Sequence, residues 1–274
     1  MAQLSITLID VGWGDSIFIE SQPHTGPARY ALIDSNDTTY LRPAQLFLKR
    51  FFDRKVEPLP VPRFEFVALS HDHSDHGQGL KQIIKEFGTK YFWYPEPADP
   101  GLTSDLLRFA RRSHKVMQPE ALDSNLLLPP LGDAEVRALW PPPGSPRPDE
   151  NNNSLVLLLT LGAVSLLLTG DAEADVWSTI GGAMPAGTRF VKVPHHGSVN
   201  GTFAEDGQTP WLDHCPPSAH VGISCHCVPH GHPDQGVIDA IAGHHNSCYR
   251  TDQHHHITLT TDGTDVQVKY SHEA

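Results

Sequence analysis

Apolar and polar positions alternate from the start of the chain. Leu4, Ile6 and Leu8 are separated by Ser5 and Thr7, the two-residue period of a half-buried strand. That strand ends at Asp10-Val11-Gly12-Trp13-Gly14-Asp15; residues 16–20 read as its return, and residues 30–33 as a third strand ending on Asp34. Leu46, Phe47, Arg50 and Phe51 predict an amphipathic helix over 43–55. Residues 64–69 form a short apolar strand that runs directly into His71, followed by a helix over 80–87, a strand over 91–93 and a helix over 106–114. In the second half, strands are predicted at 155–160 and 163–168, joined by a turn at Leu161-Gly162-Ala163. A helix over 173–180, strands at 190–193 and 219–224, a helix over 234–242 and a last strand at 256–260 follow. Strands interleaved with helices predict an α/β (α+β) layered fold.

Residues 140–153 are rich in proline, serine, aspartate and asparagine and resemble a linker in composition. Histidine and acidic motifs lie on both sides, however, and a joint site requires the two halves to pack together. The segment therefore reads as a surface loop bordering that site, and residues 1–274 as a single domain.

Charge narrows the function classes. The formal net charge is -12, which argues against holding nucleic acid mainly through a basic surface. Bound divalent cations would add positive charge that this count omits. The apolar run 155–168 is interrupted by Thr160, Gly162 and Ser165 and is too short for a membrane span. No basic region opens the chain, and its four cysteines are too few for a disulfide framework. The expectation is a cytoplasmic protein without membrane insertion; the sequence leaves its oligomeric state open.

Eighteen histidines turn attention to metal. His71-Asp72-His73-Ser74-Asp75-His76 places nitrogen and carboxylate donors within one turn at a strand end. Such donors suit zinc, manganese or iron, and the lack of thiolate argues against a closed structural zinc site. His195-His196-Gly197-Ser198 closes another strand. One of the two imidazoles is expected to face the metals, His195 being favoured for the metal side and His196 for acid–base work. The Gly197 backbone and the Ser198 hydroxyl would approach an anionic substrate. Lys192 and Arg250 are expected near the same rim as substrate-binding cations. Asp171 could equally cap the helix that follows it. Cys225-His226-Cys227 with His230 reads as reduced thiols near the site. His254-His255-His256 reads as a solvated turn, and His244-His245 as the end of the preceding helix.

The H-x-H-x-D-H motif at a strand end resembles the signature of the metallo-β-lactamase fold, a four-layer αββα sandwich. The chain looks closest to the hydrolase domain of the ComEC-type DNA-uptake proteins, here as a free-standing relative. The match runs in order through Asp10-Val11-Gly12-Trp13-Gly14-Asp15-Ser16, Leu32-Ile33-Asp34 and Leu69-Ser70-His71. It continues through Asn152-Asn153-Ser154, Thr169-Gly170-Asp171, Lys192-Val193-Pro194-His195-His196-Gly197-Ser198, Gly231-His232-Pro233 and Tyr249-Arg250-Thr251-Asp252.

The resemblance implies two divalent metal ions, zinc or manganese. It assigns His71 and His73 to the first, and Asp75 and His76, completed by His232, to the second. Asp171 would bridge them, and Asp34 would support the metal-binding loop. Asp75 would also act in catalysis. Where the superfamily often has a third histidine for the first site, this chain has Asn151-Asn152-Asn153-Ser154, which leaves that site to an asparagine oxygen or His195. Trp13 stands where the subgroup has glutamine, and Asn36 where it has glycine. The implied activity is a phosphodiesterase or nuclease acting on DNA or nucleotides. Hydrolysis of an ester, lactone, thioester or β-lactam is the alternative, with a non-catalytic binding module behind it.

Overall fold

The computed structural model describes residues 1–56, 59–244 and 247–271. The chain first lays down six strands of one sheet: β1 (Gln3–Leu8), β2 (Ile17–Gln22), β3 (Arg29–Ile33), β4 (Phe64–Ala68), β5 (Thr89–Tyr94) and β6 (Val116–Ala121). Six strands of a second sheet follow: β7 (Glu135–Trp140), β8 (Val156–Leu161), β9 (Val164–Leu168), β10 (Thr188–Lys192), β11 (His220–Ile223) and β12 (Cys248–Arg250). The chain then returns with β13 (Ile257–Thr261) and β14 (Val266–Tyr270) to the free edge of β1, giving the orders β14-β13-β1-β2-β3-β4-β5-β6 and β12-β11-β10-β9-β8-β7.

Leu4, Ile6 and Leu8 of β1 meet Leu157, Leu159 and Phe190 in an apolar layer between the sheets. Helices α1 (Pro43–Asp53), α2 (Ser74–Gly77), α3 (Leu80–Phe87) and α4 (Gly101–Arg112) belong to the first half, and α5 (Ala174–Ile180), α6 (Val199–Thr202), α7 (Gln235–His244) and α8 (Thr251–His254) to the second. α1, α3 and α4 bury Leu48, Phe52, Ile83, Ile84 and Leu106 against the outer face of the first sheet. α5 and α7 bury Val176, Trp177, Val237 and Ile241 against the second. This is the four-layer αββα arrangement. β8 and β9 are covered on both faces, so their leucine-rich run lacks a two-residue alternation.

The pairing of strands positions the site. β3 and β4 run parallel, as do β9, β10 and β11, so their carboxyl ends come together at one end of the sandwich. Those ends carry Asp34, His71, Asp171, His195-His196 and Ser224.

The structure differs from the sequence expectations in several elements. β6, β7, β12 and β14 were not anticipated, and residues 256–260 do not end the fold, because β14 pairs beyond them. The helix expected over 106–114 starts earlier, at Gly101, where Asp72 accepts the amide protons of Leu102 and Thr103 (3.0 Å each). His244 ends α7; His245 lies outside the described residues.

Candidate metal centre

At the end of β4 the chain turns sharply so that His71 is fully buried, and one turn of α2 then presents Asp75 and His76 inward. Contacts from the ends of β1 and β3 hold this loop in place. Asp34, just past β3, accepts the Ser70 amide proton through Oδ1 (2.7 Å) and lies 2.8 Å from His76 Nδ1 through Oδ2. The Asp75 carbonyl accepts the Asp15 amide at 3.2 Å, and a Cβ at Gly14 would stand 2.3 Å from that same carbonyl oxygen. Only glycine permits this approach, which brings the β1–β2 loop and Asp15 into the centre.

His76, with Nδ1 committed to Asp34, turns Nε2 toward the opposite sheet. It lies 3.3 Å from Asp171 Oδ2, 3.5 Å from Asp75 Oδ2 and 3.3 Å from His196 Nε2. His196 mirrors it: Nδ1 donates to the Ser224 carbonyl (2.8 Å), while Nε2 lies 3.2 Å from Asp171 Oδ2 and 3.6 Å from Asp75 Oδ2. His71 Nε2 is 2.9 Å from His73 Nδ1. Donor atoms of His71, His76 and Asp171 lie within 4.8 Å of one another, and so do those of Asp75, His76 and His196.

The paired histidines do not share a role. His196 is buried in the cluster, whereas His195 is partly exposed, with Nε2 3.9 Å from Asp171 Oδ2 and Nδ1 3.3 Å from Glu173 Oε1. Both residues adopt left-handed backbone (φ 48° and 54°), as does Asp34 (φ 59°). Each such residue costs on the order of 1 kcal/mol or more and persists where surrounding contacts over-determine it, as at functional sites. His232 belongs to none of the converging groups among the described residues; its ring stands 5.9 Å from that of His195.

Lys192 and Ser198 are not on the rim. Lys192 is completely buried, its Nζ 2.6 Å from Asp15 Oδ2, 3.4 Å from Asp171 Oδ1 and 2.9 Å from the Gly170 carbonyl oxygen. It lies on the same face of β10 as Phe190, which packs between the sheets, so it ends beneath the cluster rather than in solvent. Ser198 is also buried and accepts the Gly201 amide proton (3.1 Å), capping α6. Arg250 is paired with Asp252 at 2.6 Å.

The electrostatics follow from burial. Four carboxylates, Asp15, Asp34, Asp75 and Asp171, share the centre with one fixed cation, Lys192. Burial opposes charge on His196, yet Asp171 and Asp15 raise its pKa to about 9. His76 is likewise raised well above the usual imidazole range, burial being overcome by Asp171, Asp34 and Asp75. Burial also opposes ionisation of Asp171, but His196, His76 and Lys192 hold its carboxyl well below the ordinary range. His71 moves the other way, since burial and the neighbouring His76 keep it neutral. An excess of buried carboxylate thus draws protons onto imidazoles whose ring nitrogens face one another. A divalent cation satisfies the same donors, so the residues fit a metal centre.

Asp15 and Glu173 were missed as site residues in the sequence. Glu173 accepts hydrogen bonds from Asn151 and Asn200 beside His195, and Asn151 Oδ1 is buried with no hydrogen-bond partner. A signal for Asp15 was available, because it follows a strand end and two close glycines, as Asp34 and Asp171 also stand at strand ends. The 140–153 segment does border the site: Asn152 Oδ1 accepts the Glu173 amide, and Glu150 accepts the Asp72 amide. No cysteine belongs to a metal-ligand group among the described residues; Cys225 is buried with Sγ 3.5 Å from Asp252, and Cys227 is exposed. His256 is not merely in a solvated turn, since its Nδ1 accepts the Asp10 amide proton at 3.0 Å.

Comparison with solved structures places the fold. The metallo-β-lactamase fold protein YhfI from Bacillus subtilis superposes with a TM-score of 0.53 at 11% identity, over 98% of this chain and 100% of that one. The fold is the metallo-β-lactamase fold. Zn²⁺-bound PqqB from Methylobacterium extorquens shows the same likeness (TM-score 0.54, 12% identity, 94% and 99% covered). So does the E377D mutant of the CmlA β-hydroxylase, with a TM-score of 0.56 and 14% identity over 94% of this chain and 54% of that one. Among curated proteins, ComE operon protein 3 of Bacillus subtilis (strain 168) is 24% identical over 257 residues, 90% of this chain. The chain spans about a third of that relative's length (32%). No family model matches the sequence. Among the described residues, no helix is long and apolar enough to cross a membrane.

Proposed function

We propose that the chain is a metal-dependent hydrolase acting on phosphodiesters, with nucleic acid or a nucleotide as substrate. The observation that carries the metal reading is the convergence of the buried Asp75, His76, His196 and Asp171. The resemblance to the ComEC-type hydrolase domain and the similarity to ComE operon protein 3 along most of the chain support the phosphodiester preference. In this reading His71, His73 and Asp171 hold one cation, and Asp75, His76, His196 and Asp171 hold the second. His196 takes the place first given to His232, because it is His196 whose Nε2 faces the carboxylates.

Divalent cations so held would supply a Lewis acid for the phosphoryl group and an acidified water as nucleophile. The chain's own groups do the rest. Asp34 and the Ser224 carbonyl fix the tautomers of His76 and His196, leaving both Nε2 lone pairs free for ligation. Asp75 accepts a hydrogen bond from the nucleophile. His195, whose Nδ1 lies 3.3 Å from Glu173 Oε1, offers Nε2 to donate to a phosphoryl or leaving-group oxygen. Lys192 keeps Asp171 ionised from below.

The test is a substrate panel. Metal-depleted protein reloaded with zinc or manganese is assayed with bis-p-nitrophenyl phosphate, single- and double-stranded DNA, a lactone and a chromogenic cephalosporin. Metal-dependent turnover of the phosphodiesters is expected. Turnover of the lactone or cephalosporin alone overturns the substrate assignment, and no turnover of any overturns the hydrolase.

A further inference from the structure

A concave channel runs along the outer face of α1, away from the metal centre. It has two compartments, of about 530 and 660 Å³, which share Pro43 and Leu46. Its walls carry Arg42, Lys49, Arg50, Arg54 and Lys55 against one lining acid, Asp10. This is a local excess of positive charge on a chain whose formal net charge is -12. Lys49 and Lys55 are neutralised by Glu86 (3.1 Å) and Glu20 (2.6 Å). Arg50 and Arg54 are exposed and make no side-chain hydrogen bond or ion pair among the described residues. Aromatic surface lies between the cations: Phe47 packs against His256 (5.1 Å between ring centroids) in one wall, and Tyr40 stands 93% exposed in the other.

The upper compartment ends at the loop that enters the site. It is lined by Asp10, Val11 and Gly12, and the next residues are Trp13, Gly14 and the buried Asp15. The partly buried Trp13 ring lies 5.1 Å from His230, His230 lies 6.0 Å from His232, and His232 lies 5.9 Å from His195. A file of rings therefore runs from Trp13, one residue beyond the channel wall, to the histidine beside Asp171.

We propose that the α1 channel is a binding track for single-stranded nucleic acid that delivers the strand past Trp13 to the metal centre. The proposal rests on the phosphodiesterase reading above and narrows its substrate to a polymer. Guanidinium groups spaced along a channel suit successive phosphates, and exposed rings between them suit unpaired bases, which stack without regard to sequence. A duplex would hide those base faces, and a flat bilayer would not enter a concave channel.

The test uses the full chain, metal-loaded and carrying Asp75→Asn to prevent cleavage, with a fluorescein-labelled oligothymidylate followed by anisotropy across a salt series. Adding Arg50→Gln and Arg54→Gln should weaken binding about tenfold or more, and should flatten the log–log salt dependence by about 1.4, roughly 0.7 for each phosphate no longer neutralised. Tyr40→Ala should weaken binding with no change in that slope. In the otherwise wild-type protein, the arginine pair should leave turnover of bis-p-nitrophenyl phosphate unchanged, since the channel lies outside the catalytic groups. Unchanged oligonucleotide affinity in the arginine variant overturns the track, even if bis-p-nitrophenyl phosphate is hydrolysed and the phosphodiesterase reading stands. The track is equally overturned if the arginines are needed instead for binding vesicles of phosphatidylserine and phosphatidylcholine. Arginine-dependent oligonucleotide binding with no hydrolysis of any phosphodiester keeps the binding track and overturns the phosphodiesterase reading.

Discussion

Replacing Lys192 with methionine removes the one fixed cation that the described residues bring to the buried carboxylate cluster, while nearly preserving side-chain volume. Its ammonium lies 2.6 Å from Asp15 and 3.4 Å from Asp171. With an effective dielectric constant of about 20, those separations correspond to attractions of roughly 6 and 5 kcal/mol. The loss cannot reach their sum, because the freed carboxylates take up protons and the variant no longer desolvates an ammonium. Breaking a buried pair from one side typically costs about 3–5 kcal/mol, and that is the magnitude expected here. For a chain of this size, about 2–4 °C per kcal/mol converts it to a fall in Tm of roughly 6–20 °C. The assay is thermal unfolding followed by circular dichroism in excess EDTA, repeated with saturating zinc or manganese. The deficit should be largest without metal and shrink with it, because a bound cation replaces the missing positive charge. A metal-free Lys192→Met protein melting within about 2 °C of wild type would refute the argument.

The remaining predictions bear on the same cluster. The pKa of His196, raised to about 9, makes its proton a stabilising element of the metal-free protein. That contribution is complete below the ordinary imidazole value of 6.5 and is lost as pH rises through about 9. Metal must displace this proton, so calorimetric titrations should show affinity climbing between pH 6 and 9, and a flat profile would count against ligation by His196. Asp34→Asn should weaken metal binding about 10–100-fold in competition with a chromophoric chelator, since Asp34 orients His76 without being a ligand; unchanged affinity would contradict that role. Asp75→Ala should abolish turnover by several orders of magnitude with an unchanged circular dichroism spectrum, and a folded, metal-loaded variant of near wild-type activity would show the centre to be misassigned.

Strand-end motifs were legible in the sequence because they are local: a short apolar strand, a turn and a cluster of donors are all encoded within a dozen residues. His71, His73, Asp75 and His76 could therefore be grouped from the residues alone, whereas Asp34 and Asp171 joined them through the resemblance to the metallo-β-lactamase fold. The choice between His195 and His196 was not local. It depends on a left-handed turn after β10 and on the Ser224 carbonyl at the end of a neighbouring strand. Lys192 was misplaced by composition, because lysine is seldom fully buried. The parity of β10 contained the answer, since Phe190 and Lys192 share the inward face. β7 buries Val136 and Ala138 between the sheets, but an irregularity after Ala138 puts Trp140 on the helix-covered face, and the strand was obscured by the proline-rich stretch that follows. β6 contains Pro119 and lies at a sheet edge, where proline is tolerated and the strand signal is weakest.

If the buried cluster is a divalent metal centre, elemental analysis of the reconstituted, desalted protein finds the ions themselves. Wild-type protein should retain about two zinc or manganese ions per chain, and Asp171→Ala, which removes the shared carboxylate, should retain close to none. Metal content near zero in correctly folded wild-type protein, after exposure to both ions, would contradict the account.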